Sequence, residues 1–184
     1  MKQWLLCLPM ALLAGCATLS EDQCRKAGAT SWEGVGRADG QEGRDADYRL
    51  ELHREACSKI GILPDRVTYM KGWNRGVLDY CTPDSGYAAG LSGSSGNDKI
   101  CPGDSARLFR ANVQLGRRVH ELKAEINRVQ EKIRELEKKL DDKNLERDAR
   151  QDLRTNIRHR NDDLAQLKLS LIQAEAIPII RSRH

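Results

Sequence analysis

The stretch of sequence that decides the fold is Val119-His-Glu-Leu122-Lys-Ala-Glu-Ile126-Asn-Arg-Val129-Gln-Glu-Lys-Ile133-Arg-Glu-Leu136-Glu-Lys-Lys-Leu140. Its apolar residues recur at alternating steps of three and four, with charged residues between them. This heptad spacing is typical of a coiled coil, in which the apolar positions form the seam between two helices. We therefore predict a long helix whose seam binds a partner protein or a second copy through Val119, Leu122, Ile126, Val129, Ile133, Leu136 and Leu140.

The heptad pattern breaks after Leu140. Asp141-Asp142-Lys143-Asn144 contains no apolar seam residue, and the apolar spacing resumes only at Ala149, Leu153, Ile157, Leu164, Leu167, Leu171 and Ala174. Two interpretations are open: an antiparallel coiled-coil hairpin over residues 105–176 with a turn near 141–147, or one continuous rod that pairs with another chain. The shift of phase favours the hairpin, and Asp104 or Ser105 is the expected N-cap of its first helix.

The residue composition is uneven along the 184 residues. All 15 Gly lie at or before Gly116, no Pro occurs between Pro102 and Pro178, and hydrophobic residues are 39% of the chain against 32% charged. These proportions exclude a multi-span membrane protein. We predict a mainly α-helical fold in which a small, disulfide-stapled, Gly-rich helical module at residues 16–104 precedes the hairpin, with a basic tail at 177–184.

Residues 1–15 are similar to a lipoprotein signal peptide. Lys2 precedes a short apolar run that ends in Leu13-Ala14-Gly15-Cys16, a sequence that resembles a lipobox. The run is too short to cross a hydrocarbon core of about 30 Å as a helix, so a cleaved signal fits better than an anchor helix. The resemblance implies that Cys16 becomes the mature N-terminus and carries acyl chains such as palmitate. An ordinary secreted protein with an incidental Cys is the alternative.

The residue after Cys16 is Ala17 rather than the Asp that usually marks retention in the inner membrane. We therefore expect the protein on the periplasmic face of the outer membrane of a Gram-negative envelope. Acyl chains would anchor it, because two or more chains together bind a bilayer firmly.

Four further cysteines are expected to form two disulfides, because their number is even and the chain is exported. Three pairings are possible. A helix over Arg66–Tyr80 would hold Cys57 and Cys81 about 20 Å apart, whereas the Cα atoms of a disulfide lie within about 7 Å. We therefore prefer Cys24–Cys57 with Cys81–Cys101. The gaps between these cysteines are unlike the close pairs of zinc sites, so no metal is expected.

The module contains two predicted helices, over Asp45–Ile60 and Arg66–Tyr80. Gly72 and Gly76 lie four residues apart on one face of the second helix, where each costs about 1 kcal/mol relative to Ala. Such a face indicates that another element approaches closely. A tight helix contact within the module is the favoured interpretation, and a docking surface for a partner is the alternative.

Two Gly-rich stretches flank these helices. The first, Gly34–Gly43, contains Asp39-Gly40, which is ordinary turn chemistry. The second, Gly86–Gly96, is expected to be a long flexible loop, and neither stretch has the spacing of a dinucleotide fingerprint or a P-loop. Loops often carry binding sites, so the alternative function is an envelope enzyme or ligand-binding protein that uses residues 86–96.

Residues throughout the module carry a resemblance to a known family: Trp32, Gly36, Asp39-Gly40, Gly43, Cys57, Gly61, Pro64-Asp65, Tyr69, Gly72, Gly76, Tyr80-Cys81, Gly86, Gly90, Cys101-Pro102, Phe109 and Gly116-Arg117. Together they are similar to domain of unknown function 2799, a family of small proteobacterial envelope lipoproteins. The resemblance implies export, lipidation and a Cys-bearing, Gly-rich module before a coiled coil. It implies no activity, so no catalytic residue is transferred.

Charge separates the two parts of the chain. Residues 16–104 carry 11 basic and 14 acidic residues, whereas residues 105–184 carry 19 basic and 13 acidic residues. A basic helical rod attracts acidic partners or anionic headgroups, although a solvated face explains the charge equally well. Nucleic acid is not an expected partner of an exported protein.

No residue pattern in the sequence indicates a particular reaction. His53, His120, His159 and His184 lie in separate predicted elements, His53 and His120 as surface or packing residues, and no nucleophile elbow is present. We predict no catalytic residue and no cofactor, and whether the protein is an enzyme stays open. The hypothesis from the sequence is a lipid-anchored periplasmic interaction or structural protein whose coiled coil binds a partner or a second copy.

Overall fold

The computed structural model describes residues 18–181, and all regular secondary structure in that range is helical. Its helices are α1 (Glu21–Ala29), α2 (Trp32–Gln41), α3 (Ala46–Ser58), α4 (Arg66–Tyr80), α5 (Pro83–Leu91), α6 (Asp104–Leu140) and α7 (Arg147–Glu175), with a 3₁₀ turn at Asp98–Ile100. The mainly α-helical fold predicted from the sequence is confirmed. None of the helices in this range is both long enough and apolar enough to cross a membrane.

Side-chain caps explain where most of these helices begin. The N-cap side chain accepts a hydrogen bond from a backbone N–H of the first turn in α1 to α5, at Ser20, Ser31, Asp45, Asp65 and Thr82. The cap expected for α6 at Asp104 or Ser105 is wrong. Gly103 takes that position with a φ of 52°, a left-handed conformation that favours glycine.

Two disulfides hold the module together. Cys24 of α1 bonds to Cys57 of α3, and Cys81 after α4 bonds to Cys101 before α6, with Cα atoms 5.5 Å apart in each pair. These are the pairs that the helix-length argument favours, since α4 does separate Cys57 from Cys81. Each bond restricts the unfolded chain and so stabilises a module with a small core.

Helices α2 and α4 make backbone-to-backbone contact through four glycines, Gly36 and Gly40 on α2 and Gly72 and Gly76 on α4. A Cβ atom added at any of the four would lie under 3.0 Å from a carbonyl oxygen of the facing helix. The absence of side chains therefore allows the close approach. The tight helix contact predicted at Gly72 and Gly76 is confirmed, and a docking surface at these two residues is excluded.

Helices α5 and α6 pack in the same manner, which corrects the prediction of a long loop at Gly86–Gly96. Residues 83–91 form α5, with Thr82 as its cap and Pro83 at its first position. A Cβ at Gly86 or Gly90 would collide with backbone atoms of α6, and one at Gly116 with those of α5. This tertiary contact offsets the poor helix propensity of the glycines. Reasoning from the local sequence considers only that propensity and therefore predicts a loop.

The two helix pairs correspond contact by contact. Adding 50 to the residue numbers of Gly36 and Gly40 in α2 gives Gly86 and Gly90 in α5. Adding 40 to the number of Tyr69 in α4 gives Phe109 in α6. The contacts follow the same shifts, and the matched sets are Gly36 on Tyr69, Gly40 on Trp73 and Val77, Gly86 on Phe109, and Gly90 on Val113 and Arg117.

The correspondence extends to the ends of the glycine helices. Gly43 and Gly93 follow α2 and α5 with φ values of 72° and 80°. One disulfide accompanies each pair and joins the segment before its glycine helix to the segment before the partner helix. Helices α1 to α6 therefore contain the same helix-pair motif twice, a repeat that the sequence analysis missed.

Helices α6 and α7 form the antiparallel hairpin that the phase shift predicts. At the turn, Arg150 donates to the carbonyl of Leu140 at 2.9 Å, and near the other end Lys123 pairs with Glu175 at 2.8 Å. The continuous rod is therefore excluded. Because α6 also packs against α5, a single helix links the module to the hairpin.

Candidate functional site

The predicted lipidation residue Cys16 and the signal peptide at residues 1–15 lie outside the described residues. The same holds for the last three residues of the basic tail, 182–184. Lipid attachment therefore stays a prediction from the sequence.

The predicted seam lies inside the hairpin. Six of its seven residues are buried, from Val119 to Leu136, and Leu140 is half-buried. Ile126, Val129 and Ile133 form a cluster with Leu164 of α7. The seam predicted to bind a partner therefore packs within the hairpin, and a partner of the folded hairpin must contact another of its faces.

A second row of residues lies on another side of α7, facing solvent. Arg154, Arg158, Ala165, Leu169 and Ile172 follow one another at steps of four, seven, four and three, so they share one helix face. We call this row the outer α7 face. Leu169 and Ile172 are 62% and 64% exposed. Arg154 and Arg158 have no ion-pair partner among residues 18–181.

The most unusual polar arrangement in the module is a buried network around Asp39, which α2 holds between its contact glycines. Oδ2 of Asp39 accepts hydrogen bonds from the hydroxyl of Tyr69 and from Nε2 of His53, both at 2.8 Å. Oδ1 accepts from Nε of Arg49 at 3.0 Å. Helices α2, α3 and α4 thus meet at one carboxylate, and we call these four residues the Asp39 network.

Burial and hydrogen bonding act in opposite directions on the carboxylate. Burial alone would raise the pKa of Asp39, but the hydrogen bonds from His53 and Tyr69, together with the charge of Arg49, hold that pKa below its ordinary value. Burial, with the neighbouring Asp39 charge, raises the pKa of Tyr69 above its ordinary value. Asp39 is therefore a carboxylate and Tyr69 a neutral phenol at neutral pH.

The orientation of His53 follows from this carboxylate. A carboxylate only accepts hydrogen bonds, so Nε2 of His53 must carry the proton. Nδ1 is buried and has no hydrogen-bond partner among the described residues. The ring lies between Trp32 and Tyr69, with centroid distances of 6.2 and 6.1 Å.

The network lies beside a cleft of about 930 Å³ between α1, α2 and the start of α3. Gln23, Lys26, Val35, Tyr48 and Arg49 are among the residues that line it. An Asp–His pair next to a cleft has the composition of a general base. Here, however, both carboxylate oxygens already accept hydrogen bonds from buried or half-buried groups, and the His53 ring is buried, so the geometry favours a structural role.

The expectation that Asp39 is a turn residue is therefore wrong, because it lies within helix α2. His53 is buried, which agrees with the packing role and excludes the surface role that the sequence left open. Sequence periodicity gave no signal for their contact. A comparison of the two helix pairs would have given such a signal, because positions 39 and 69 are polar, whereas the matched positions hold Ala89 and Phe109.

The Gly-rich stretch proposed as a ligand loop is used within the fold instead. Gly86 and Gly90 face α6, and Gly96 packs against Phe109. Asn97, which follows this stretch, also bonds within the fold. Its backbone N–H donates to the hydroxyl of Tyr80 at 2.7 Å, and its side-chain amide donates to the carbonyl of Gly43. Residues 18–181 also contain no group of three His, Cys, Asp or Glu side chains that could hold a metal ion.

Comparison with known families bears out the resemblance noted in the sequence. Residues 31–118 match the model of a family described as Protein of unknown function (DUF2799). The matched range contains both copies of the helix-pair motif and ends near the start of the hairpin seam. Nothing among the curated proteins or the solved structures matches the chain.

Proposed function

Since residues 31–118 match the model of the DUF2799 family, whose description names no activity, we propose a function from the chain's own surfaces. The protein is a lipid-anchored periplasmic protein of the Gram-negative envelope, held to the outer membrane by acyl chains on Cys16. Its hairpin binds another envelope protein through the outer α7 face.

The lipobox-like sequence before Cys16 supports the anchor. The two disulfides agree with this location, because such bonds persist in oxidising compartments such as the periplasm and are rare in the cytosol. The module begins a few residues after Cys16, so the anchor would place the module next to the bilayer and leave the hairpin to extend from it.

The outer α7 face is the observation that supports partner binding. Leu169 and Ile172 are mostly exposed and lie outside the seam cluster between α6 and α7. A row of apolar residues on an exposed helix face is typical of a site that binds another helix.

The charge of this face indicates the chemistry of the partner. Arg154 and Arg158 continue the apolar row and form no ion pair among the described residues, and residues 105–184 have a net charge of +6. We therefore assign to the site an amphipathic helix with acidic residues beside its apolar positions. A second copy of this chain is the competing occupant.

Site-specific photo-crosslinking in cells tests the partner. A photoreactive residue at position 169 should give one adduct with a different envelope protein, and the crosslinked peptide should contain acidic residues in a helical pattern. The double variant R154E/R158E should remove the adduct. Val67 of α4 is the matched control, since it is apolar and 79% exposed but lies on the module. An adduct between two copies of this chain, or equal adducts from both positions, would overturn the proposal.

The anchor has its own test. Cys16→Ala should shift the protein from the membrane fraction to the soluble periplasmic fraction, and mass spectrometry of the native chain should find acyl chains on an N-terminal Cys16. An uncleaved chain in the cytosol with reduced thiols would refute both the anchor and the envelope location.

A further inference from the structure

The C-terminal tail does not end in solvent after α7 but returns to the module. The side-chain amide of Asn112 on α6 donates to the carbonyl of Ile180 at 2.9 Å and accepts from the N–H of the same residue at 2.8 Å. Both polar groups of one tail residue therefore bond to one buried side chain, whose exposed fraction is 0%.

The next tail residue adds a charged contact. Both terminal nitrogens of Arg181 donate to the two carboxylate oxygens of Asp84, each at 3.0 Å. This two-bond geometry is specific to a guanidinium, because an ammonium group lacks the planar pair of donors. Asp84 lies in the first turn of α5, so the α5–α6 pair supplies both contacts.

The geometry selects an extended chain. The N–H and C=O of one residue point to the same side only in extended backbone, which is how neighbouring strands pair. A helical segment uses the same two groups in opposite directions along its axis. The amide of Asn112 therefore recognises main chain rather than a side chain, and Asp84 recognises an arginine directly after it.

Comparison with the first helix pair shows that packing does not require Asn112. Gly72 of α4, 40 residues earlier, is the residue that matches Asn112. There the backbone carbonyl of Glu33 fills the space that a side chain would take. A buried amide costs free energy unless its hydrogen bonds are made. In the second pair these bonds are made to the carbonyl of Leu108, at 2.8 Å, and to the tail.

We propose that Asn112 and Asp84 form a recognition site for an extended peptide that carries an arginine, and that the chain fills this site with its own residues 179–181. The tail thereby connects the end of α7 to the module. A partner that presents an extended segment of the same kind competes with the tail for the site.

Peptide binding to a chain that lacks the tail tests this proposal. A variant that ends at Ala176 keeps all seven helices, since α7 ends at Glu175, and circular dichroism checks its helical content. It should bind a fluorescein-labelled peptide of residues 177–184 saturably. The full chain, whose site is filled, should bind the peptide about tenfold or more weakly, as should the truncated chain with Asn112→Asp.

Asn161→Asp is the matched control for that substitution. Asn161 also donates to the carbonyl four residues earlier, at 2.9 Å, but lies exposed on α7 away from the tail. It should leave peptide binding unchanged. Equal binding with Asn112→Asp, or no binding by the folded truncated chain, would overturn the recognition site.

A second measurement covers a truncated chain that does not fold. In the full chain, I180P removes the backbone N–H that donates to Asn112, and R181E reverses the charge that pairs with Asp84. The tail of this double variant should therefore leave the site. This variant should bind the labelled peptide, and adding Asn112→Asp should abolish that binding. Failure of the peptide to bind this folded variant would likewise contradict the proposal.

Discussion

The hydroxyl of Tyr69 donates a hydrogen bond to Oδ2 of Asp39 at 2.8 Å, directly across the glycine contact between α2 and α4. At the matched positions of the second helix pair the chain has Phe109 and Ala89. The same backbone contact therefore forms once with a buried polar network and once without it. The Asp39 network is an addition to the helix-pair motif and not a requirement of it.

Replacing Tyr69 with Phe should test what this addition contributes. The second pair shows that a phenyl ring fits such a site, so the cost should be that of one hydrogen bond to a charged group, about 1.5–3 kcal/mol. Asp39→Ala should cost more, about 3–5 kcal/mol, because Arg49 and His53 lose their carboxylate. Urea unfolding measures both values. Equal losses would show that the carboxylate does not organise the network.

The pH dependence of stability follows from the lowered pKa of Asp39. The unfolded carboxyl group takes up its proton at a higher pH than the folded one. The network therefore contributes its full stability above the ordinary carboxyl pKa of about 4 and loses it as the pH falls below that value toward the folded pKa. Urea midpoints between pH 7 and pH 2.5 should fall more steeply for the native chain than for Tyr69→Phe, which lacks one of the hydrogen bonds that lower this pKa. Parallel curves would contradict the assignment.

Gly72→Ala should destabilise the module although alanine favours helix. Its Cβ would collide with the backbone carbonyl of Glu33, which cannot rotate away, and overpacking of this kind costs about 1–3 kcal/mol or more. Gly34→Ala is the control on α2, because its Cβ would meet nothing within 4 Å. That substitution should instead stabilise by up to about 1 kcal/mol. Thermal unfolding distinguishes the two signs, and a stabilising Gly72→Ala would refute the contact.

The hairpin should respond differently on its two apolar rows. Ile133 is 8% exposed in the seam, so Ile133→Ala should cost about 2–5 kcal/mol. Leu169 is 62% exposed on the outer α7 face, and Leu169→Ala should change stability by no more than about 0.5 kcal/mol. Urea unfolding of the purified protein measures both. A large loss at Leu169 would mean that this row supports the hairpin and is not available to a partner.

The sequence by itself determined the features that depend on near neighbours. The spacing of Val119 to Leu140 specified α6, the loss of that spacing at 141–144 specified the turn, and the separation imposed by α4 favoured the observed disulfides. Periodicity and the reach of a helix are properties of a few consecutive turns, so a linear pattern contains them.

Only the tertiary structure decided how distant segments share space. It turned Gly86–Gly90 into a helix because α6 offers a backbone surface, made Asp39 the centre of a network with residues 10, 14 and 30 positions away, and joined Ile180 to Asn112 across 68 positions. A polar group is stable in the interior only when its partners arrive from other elements. Neighbours in sequence do not specify those partners.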